Sequence, residues 1–292
     1  MPLGLTLFRK VTIVGVGLIG GSLGLAIKKH KLAREVVGLS QRHSSIMAAL
    51  KIQAVDHAYH DLKKAVTNSD LVILAAPVSV ILGMLSTIGA CLRRGSIIID
   101  VGSTKSSIVR AAEQHLPNYV SFVGCHPLAG SEKSGVENSF AELFEQSSCI
   151  MTPTEKTNRS AVEKIRRFWR KIGVETKIMT PEEHDRILAY ISHLPHMLAF
   201  ALMQSVPEGF LPYATPSLKE MTRIAASSPQ MWNDIALSNV RNLSEGMDEL
   251  AKNLATLRKA LGIGDHKVLL DYFKNAKDKR DKMMNHGTSP NP

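Results

Sequence analysis

The sequence predicts an α/β fold, in which a doubly wound, mostly parallel sheet is followed by an all-α domain. Short runs rich in valine and isoleucine alternate with helical patterns over the first 180 of the 292 residues. Strand candidates then cease after Met179, and apolar residues recur at helical spacing to about Leu261. Alternation of the first kind is typical of βαβ units around a parallel sheet, and the second pattern is typical of packed amphipathic helices.

Seven strands are predicted, and the composition of several indicates burial on both faces. They begin at Val11, Glu35, Leu71, Ser96, Val120, Ser148 and Glu175. Continuous apolar strands are typical of a sheet that helices cover on both sides. Because βαβ crossovers are right-handed, we expect helices on both faces of this sheet.

The helical part begins at Thr180, a candidate N-cap that precedes Pro181 and two acidic residues. We therefore expect a sheet domain of residues 1–179 and a helical domain of residues 180–273. Residues 274–292 are charged and then rich in Gly, Ser, Pro and Asn, which predicts a disordered basic tail. Several helical stretches are apolar nearly all round, which favours a homodimer through the helical domain.

Charge and cysteine usage narrow the class of protein. Lys and Arg total 36 against 26 Asp and Glu, a net charge of +10. The basic residues are mostly scattered along the chain, so we expect a solvated surface and no nucleic-acid partner. An anionic small molecule fits this balance. Three cysteines without a CxxC pair predict neither a disulfide framework nor a metal site, and favour a cytoplasmic location.

Three stretches without charge raise the question of a membrane span. They are residues 11–27, 71–92 and 187–207. The first is glycine-rich, Pro77 breaks the second, and the third carries His193 and His196, which are costly in lipid. The N-terminus lacks the pattern of a signal peptide, because Arg9 and Lys10 follow the first apolar residues at once. We expect all three stretches to be buried parts of a soluble protein.

A glycine loop follows the first predicted strand and opens a helical pattern. In Gly15-Val16-Gly17-Leu18-Ile19-Gly20, the first glycine allows a tight turn, the second allows close approach of a pyrophosphate, and the third allows close helix–strand packing. The spacing and context predict a Rossmann-type dinucleotide site, against the alternative of a glycine-rich turn without a ligand. Ala76 and Pro77, after the strand that begins at Leu71, are expected to line the same site.

The end of the second strand predicts which nicotinamide cofactor binds. An acidic residue there would bond the adenosine ribose 2′-hydroxyl and favour NAD, but this chain has Ser40, Gln41 and Arg42. A serine hydroxyl can donate to a 2′-phosphate and a guanidinium can pair with it. NADP is therefore favoured over NAD. The alternative is that Arg42 is only the exposed start of the next helix.

Polar residues that suit acid–base chemistry follow two further strands. Ser103 lies in the loop after the strand at Ser96, and His126 lies in a loop rich in glycine and serine after the strand at Val120. Both loops leave the carboxyl ends of strands, where doubly wound sheets bind ligands. A histidine there can act as a base near neutral pH, although a lone loop histidine is more often structural.

The helical part offers further candidates. His193 and His196 lie inside an apolar helix, and Arg223 could clamp a carboxylate by two parallel hydrogen bonds. The alternatives are core histidines with satisfied hydrogen bonds and a surface ion pair between Arg223 and Glu220.

Five motifs together resemble the prephenate/arogenate dehydrogenase family of tyrosine biosynthesis. They are GVGLIGGS, DVGSTK, GCHPLAGSEKSGVE, SHLPH and the TRIA to MW stretch at 222–232, and the match covers residues 10–260. The resemblance implies a Rossmann domain and a helical dimerisation domain with the active site in the cleft between them. It implies that His126 accepts the proton of the ring C4 hydroxyl while hydride leaves C4 for NAD(P)+ and CO₂ departs. The product is 4-hydroxyphenylpyruvate from prephenate, or tyrosine from arogenate.

The resemblance also implies roles for the other candidates. Ser103 would orient His126 and the nicotinamide, and Arg223 would hold the side-chain carboxylate of the substrate. The remaining residues would line, gate or border the substrate pocket: Ser131, Glu132, His193, His196, Lys219 and Trp232. His196 favours prephenate or dual use, because arogenate-selective relatives often end this motif in an apolar residue. Any inhibition by tyrosine is expected to be competitive.

Two other interpretations remain open. A β-hydroxyacid dehydrogenase or imine reductase shares this layout, but such enzymes usually rely on a lysine of the long interdomain helix. The helix from Pro181 carries His193 and His196 and no lysine. A non-enzymatic nucleotide- or nucleic-acid-binding protein would leave the loop around His126 unexplained.

Overall fold

The computed structural model describes residues 6–130 and 133–285. Eight strands form one sheet in the order β3-β2-β1-β4-β5-β6-β7-β8. The strands are β1 (Phe8–Val14), β2 (Ala33–Leu39), β3 (His57–Tyr59), β4 (Leu71–Leu74), β5 (Ile97–Asp100), β6 (Ser121–Pro127), β7 (Ser148–Thr152) and β8 (Glu175–Ile178). All neighbouring strands are parallel except β6 and β7. The predicted doubly wound, mostly parallel sheet is confirmed.

All seven predicted strands are present, and the sequence pattern missed only β3 among the strands of the described residues. This strand has three residues, of which His57 and Tyr59 are exposed. A segment so short and so open has no apolar run and no alternation to detect. It pairs with the end of β2 and so widens the sheet beside Leu39.

Twelve α-helices lie within the described residues. They are α1 (Leu18–Lys29), α2 (His43–Lys51), α3 (Leu62–Val66), α4 (Val78–Ile88), α5 (Ser106–His115), α6 (Arg159–Lys171), α7 (Pro181–Leu188), α8 (Leu194–Ser205), α9 (Pro216–Thr222), α10 (Pro229–Ser238), α11 (Val240–Ile263) and α12 (His266–Asn285). Helix α7 begins as predicted, since Thr180 Oγ1 accepts from Glu183 N at 3.1 Å. One π-helical turn, Ala189–His193, joins α7 to α8.

Two apolar cores lie on the two faces of the sheet. On β1 and β4, Val11, Ile13, Leu71 and Ile73 belong to one core, whereas Val14, Val72 and Leu74 belong to the other. Helices α1 and α6 supply side chains to the first core, and α4 and α5 supply them to the second. Burial on both faces explains why these strands are continuous apolar runs in the sequence.

The described structure separates into two compact units, one that ends at Val240 and one that begins at Arg241. In the first unit, α7 to α10 belong with the sheet; Ser79 of α4, for example, donates to Asp234 of α10 at 2.6 Å. The predicted boundary at residue 179 therefore marks the change from strands to helices. The second unit contains the long helix α11, apart from its first residue, and α12.

Two expectations need correction. Residues 274–285 are helical as the end of α12, although disorder was predicted from position 274. This stretch has no Gly or Pro, and Lys277 pairs with Asp281 at 2.5 Å, a spacing that supports a helix. The rest of the predicted tail, residues 286–292, lies outside the described residues.

Burial was expected for all three uncharged stretches. Residues 11–27 and most of the apolar residues in 71–92 are buried, but much of the stretch 187–207 is exposed. Ile191 is 66% exposed and Tyr190 is 44% exposed. Within the described residues, the helical stretch 181–205 is long and apolar enough to cross a membrane, and 22% of its most apolar window is buried. Exposed apolar residues in such a helix are typical of a surface that contacts another protein or a membrane.

Candidate active site

The glycine loop between β1 and α1 has the geometry of a phosphate site. Gly15 has a φ of +96°, and a Cβ there would lie 2.3 Å from the Ala75 carbonyl oxygen. A Cβ on Gly20 would lie 2.0 Å from the Gly15 carbonyl oxygen, so the packing of the protein itself requires both glycines. A Cβ on Gly17 would meet no protein atom within 4 Å. The space beside Gly17 is thus open to a ligand, and the residues fit a dinucleotide.

The start of α1 adds favourable electrostatics to this loop. Gly17 is the N-cap, no side chain caps the helix, and its first turn, which includes Leu18 and Ile19, carries no acidic residue. The unpaired N–H groups and the helix dipole therefore favour an anion such as a pyrophosphate. Ala76 adjoins the loop where β4 ends, because its N would lie 3.3 Å from a Cβ on Gly15, and Pro77 is the next residue in the chain.

The turn after β2 brings together two predicted residues and two unpredicted ones. Arg42 N donates to Ser40 Oγ at 3.2 Å. His60, just after β3, places its Nδ1 2.9 Å from the Ser40 carbonyl oxygen, and its ring stacks on His43 with centroids 6.0 Å apart. Gln41 Nε2 donates weakly to His60 O at 3.5 Å. Sequence reasoning missed both histidines, because β3 was missed and His43 follows a motif already assigned.

His126 is the centre of a hydrogen-bonded chain at the carboxyl edge of the sheet. It lies at the end of β6 and is half-buried. Its Nδ1 lies 2.8 Å from Nε2 of His184 on α7, and His184 Nδ1 lies 2.8 Å from Oδ1 of Asp185. Asp185 also accepts from Lys105 N at 2.7 Å and from Ser106 N at 2.9 Å. The chain joins β6, α7 and the start of α5.

The charge states in this chain follow from burial and hydrogen bonding. Burial lowers the pKa of His126 well below 6.5, and the nearby His184 and Lys105 lower it further. Burial also lowers the pKa of His184. Burial opposes ionisation of Asp185, but its hydrogen bonds with His184 and with the N–H groups of Lys105 and Ser106 outweigh that and lower its pKa. At neutral pH, His126 is therefore an unprotonated base that is linked through His184 to an ionised carboxylate.

A buried ion pair supports the strand that carries His126. Lys105 Nζ contacts Asp100 Oδ2 and donates to the Cys125 carbonyl oxygen at 2.9 Å. Asp100 accepts in turn from Gly102 N at 2.9 Å and from Cys125 N at 3.3 Å. Ser103 is half-buried in the same loop. The partner of His126 Nδ1 is His184, so the orienting role of Ser103 stays a prediction.

Three predicted substrate residues of the helical part form a second neighbourhood. The indole of Trp232 on α10 stacks on His196 of α8, with centroids 3.8 Å apart. His196 Nδ1 donates to Ser192 O at 2.9 Å, so its Nε2 has a free lone pair. Burial lowers the pKa of His196, and the positive charge of Arg223 lowers it further.

His193 lies between the two neighbourhoods and is 1% exposed. Asn239 Nδ2 lies 3.2 Å from His193 Nδ1 and donates to the Asp185 carbonyl oxygen at 2.7 Å. The indole ring of Trp232 lies edge-on to the His193 ring, with centroids 6.0 Å apart. Burial lowers the pKa of His193 to about 4, so this ring is neutral at physiological pH.

Of the predicted substrate residues, Lys219 on α9 and Arg223 just after it lie outside the buried core, although Arg223 is near His196. Ser131 and Glu132 lie outside the described residues. Among the residues that the structure describes, no group of His, Cys, Asp or Glu is arranged to hold a metal ion.

Sequence reasoning missed His184, Asp185 and Asn239. A signal existed for the first two, because a His-Asp pair follows the predicted helix start within one turn of a partly apolar helix. Polar side chains on the face that packs against the sheet need partners, and the nearest strand end offers His126.

Comparison with known proteins gives the family. The family model "Prephenate dehydrogenase, nucleotide-binding domain" matches residues 23–178, and "Prephenate dehydrogenase, dimerization domain" matches residues 180–275. The chain is 37% identical over 278 residues to the prephenate dehydrogenase of Bacillus subtilis, which covers 93% of this chain and 75% of that protein. It is 34% identical over 285 residues to the cyclohexadienyl dehydrogenase of Zymomonas mobilis, and this match covers 94% of this chain and 96% of that protein.

A solved structure agrees with these relatives. Prephenate dehydrogenase from A. aeolicus, in complex with hydroxyphenyl propionate and NAD+, matches with a TM-score of 0.88 and 32% identity. The match covers 97% of this chain and all of the other.

Proposed function

The chain belongs to the prephenate dehydrogenase family, and on that premise we propose the reaction that its site performs. It oxidises and decarboxylates prephenate, arogenate or both, and passes a hydride to a nicotinamide cofactor. The products are 4-hydroxyphenylpyruvate from prephenate and tyrosine from arogenate. The observation that carries this proposal is a neutral His126 at the sheet edge that also holds the glycine loop of residues 15–20.

His126 supplies the base. A neutral imidazole can take the proton of the substrate C4 hydroxyl as the C4 hydride departs and the ring carboxylate is lost as CO₂. A placed general base contributes about 10² to 10⁴-fold in rate. The nicotinamide, when bound, accepts the hydride. Holding C4 in line with it is the task of the loops around Gly17 and Ser103, and orientation of this kind is worth about 7–11 kcal/mol of barrier.

The substrate pocket is proposed around His196, Trp232 and Arg223. Arg223 lies close enough to His196 to affect its pKa, so a cation is available for the side-chain carboxylate. The free Nε2 of His196 can accept a hydrogen bond from the substrate. This favours prephenate or dual use. Four further residues border the pocket in this proposal: Ser131, Glu132, His193 and Lys219.

NADP is proposed as the favoured cofactor. The turn after β2 offers the Ser40 hydroxyl and the exposed Arg42, and no acidic residue occurs from Gly38 to His60 other than Asp56. Asp56 is already paired, with Lys28 at 2.6 Å and Val36 N at 2.8 Å. A 2′-phosphate at this turn would therefore meet donors and no competing carboxylate.

The domain division and the surroundings complete the proposal. Residues 1–179 bind the cofactor, and residues 180–273 complete the substrate site and form a homodimer. The three cysteines Cys91, Cys125 and Cys149 are free thiols, which suits a reducing cytoplasm. Tyrosine, if it inhibits, would compete at the substrate site, because it is the product from arogenate and shares the phenol ring and the carboxylate of 4-hydroxyphenylpyruvate.

The test is absorbance at 340 nm with purified protein and four pairs, prephenate or arogenate with NAD or NADP. We expect turnover with prephenate and NADP above that with prephenate and NAD. Turnover in none of the four, from folded protein that binds cofactor, would overturn the proposal. The hydroxyacid dehydrogenase interpretation would then return, although residues 181–205 contain no lysine.

A further inference from the structure

We propose that Asp185 and His184 form a positioning relay that fixes the tautomer of His126, so that Nε2 of His126 is the basic atom. The relay is the chain of hydrogen bonds from Asp185 Oδ1 to His184 and from His184 Nε2 to His126 Nδ1. The catalytic consequence rests on the proposed function, whereas the tautomer itself does not.

The first step is the fixed carboxylate. Asp185 is 2% exposed, and its two oxygens accept from Lys105 N and Ser106 N at the start of α5. These N–H groups belong to the backbone and cannot rotate away. The N-terminal end of α5 also favours a negative charge. The carboxylate is thus held ionised, with Oδ1 aimed at His184.

The second step is a deduction about protons. A carboxylate only accepts, so His184 Nδ1 must donate to Asp185. His184 is fully buried and its pKa is lowered, so its ring is neutral and its Nε2 carries a lone pair. His126 Nδ1, at 2.8 Å from that nitrogen, must then be the donor. A neutral His126 with a proton on Nδ1 has its free lone pair on Nε2.

The opposite arrangement is disfavoured by the surroundings. If His126 Nδ1 were the acceptor, His184 would carry protons on both nitrogens and be cationic. The charged and titratable groups that act on these two rings are Lys105 and Asp100 from the sheet edge, and Asp185 and His193 from the helical part. Asp185 and Asp100 favour a cationic His184, but removal of the ring from water is the largest effect, and together with Lys105 it leaves the pKa of His184 lowered.

The relay has a use in the reaction. When His126 Nε2 takes a proton, the imidazolium that forms still donates through Nδ1 to His184, with the charge of Asp185 behind it. This stabilises the positive charge that develops on the base in the transition state. Ser103 is then left to act on the Nε2 side, where the substrate hydroxyl would bind.

The first test needs no turnover. In ¹⁵N-labelled protein at pH 7.5, long-range ¹H–¹⁵N spectra distinguish the two neutral tautomers of each histidine. His126→Asn and His184→Gln assign the two rings by the signal that each variant loses. We expect the Nδ1–H form for both histidines. An Nε2–H form at either ring, or a cationic His184, would overturn the relay.

The second test is kinetic and uses a graded pair. His184→Ala removes the acceptor, whereas in His184→Gln the side-chain amide oxygen can still accept from His126 Nδ1. We expect kcat to fall about 10- to 100-fold in the first variant, at most the lower end of the 10² to 10⁴-fold that a general base contributes, and clearly less in the second. KM should change little. The acidic limb of the kcat/KM profile should shift in His184→Ala, because the hydrogen bond at His126 Nδ1 is lost, and return towards wild type in His184→Gln.

The control is His30→Ala, since His30 is a partly buried ring at the far end of α1 from the glycine loop. Melting temperature and cofactor Kd are measured for all variants. Unchanged kcat in His184→Ala, or equal losses in both variants with an unmoved acidic limb, would overturn the role in catalysis. Absence of turnover in wild type would defeat the proposed function, and the spectra would still decide the tautomer.

Discussion

At the scale of single residues, the site depends on histidines that burial keeps neutral. His126, His184 and His193 all have lowered pKa values, with removal from water as the largest cause. Sequence reasoning found His126 and His193 because they lie in distinctive motifs. It missed His184, whose role comes only from a contact 58 residues away in the chain. Local patterns cannot indicate a pairing that the tertiary fold creates.

Replacement of His126, the proposed base, should separate chemistry from binding. In His126→Asn we expect cofactor binding to be kept, because the glycine loop is untouched, and kcat to fall by about 10² to 10⁴-fold. Cofactor Kd by fluorescence titration and turnover at 340 nm check the two parts. Glu113→Gln is the control, because it also introduces a carboxamide, but at an exposed position on α5. Turnover within about threefold of wild type, well short of the loss expected of a general base, would show that another group is the base.

The same neutral histidines make stability depend on pH. The pKa of His193 is about 4 in the folded chain and about 6.5 when unfolded, so between these values the unfolded state binds more protons. The contribution of His193 to the free energy of unfolding is therefore fully present above pH 6.5. It is lost as the pH drops towards 4, a loss of about 3 kcal/mol.

His193→Asn is the matched variant for that pH effect, because its Oδ1 can still accept from Asn239 without titrating. Urea unfolding at pH 7 and pH 4.5 gives the loss of stability for each protein. The wild type should lose more than the variant. Equal losses would mean that His193 titrates alike in the folded and unfolded states.

At the scale of elements, we expect the turn between β2 and α2 to determine the choice of cofactor. The lack of an acidic residue in this turn could be seen in the sequence, because Ser40 and Arg42 stand where NAD-binding proteins of this fold have an acid. The stacked pair of His43 and His60 was not, since it needs the strand order β3-β2-β1 to bring the ends of β2 and β3 side by side. Three-residue strands leave too little pattern for that order to be inferred.

Ser40→Asp should reverse the preference. The new carboxylate can accept from a ribose 2′-hydroxyl, but it repels a 2′-phosphate. We expect the ratio of kcat/KM for NADP to that for NAD to fall at least about tenfold, which corresponds to about 1.4 kcal/mol. Ser40→Asn, with the same size and no charge, is the control. A ratio that is unchanged in Ser40→Asp would show that the phosphate does not bind at this turn.

At the scale of the whole molecule, the order of strands and helices followed from hydrophobic patterning, and the surfaces between elements did not. The pattern in residues 187–207 was interpreted as burial within one chain, yet Ile191 and Leu198 are exposed. A run of apolar residues predicts that the segment is shielded from water. It does not indicate whether the same chain or a second copy shields it.

We expect a second copy of the chain to bury the exposed apolar residues of the stretch 187–207. The family match over residues 180–275 is to a dimerization domain, and the exposed apolar side chains of α8 and the π-helical turn lie within that range. A chain of 31.9 kDa should therefore elute at about twice its mass in size exclusion with light scattering.

The double variant Ile191→Glu with Leu198→Glu places two charges on this surface, and should shift the protein to the monomer or make its melting temperature fall on dilution. Met47→Glu with Val80→Glu, on exposed apolar residues of α2 and α4, is the matched control and should leave the mass unchanged. A monomeric wild type at micromolar concentration would contradict this account, and partition of the wild type into detergent would instead point to a membrane as the cover of the stretch 181–205.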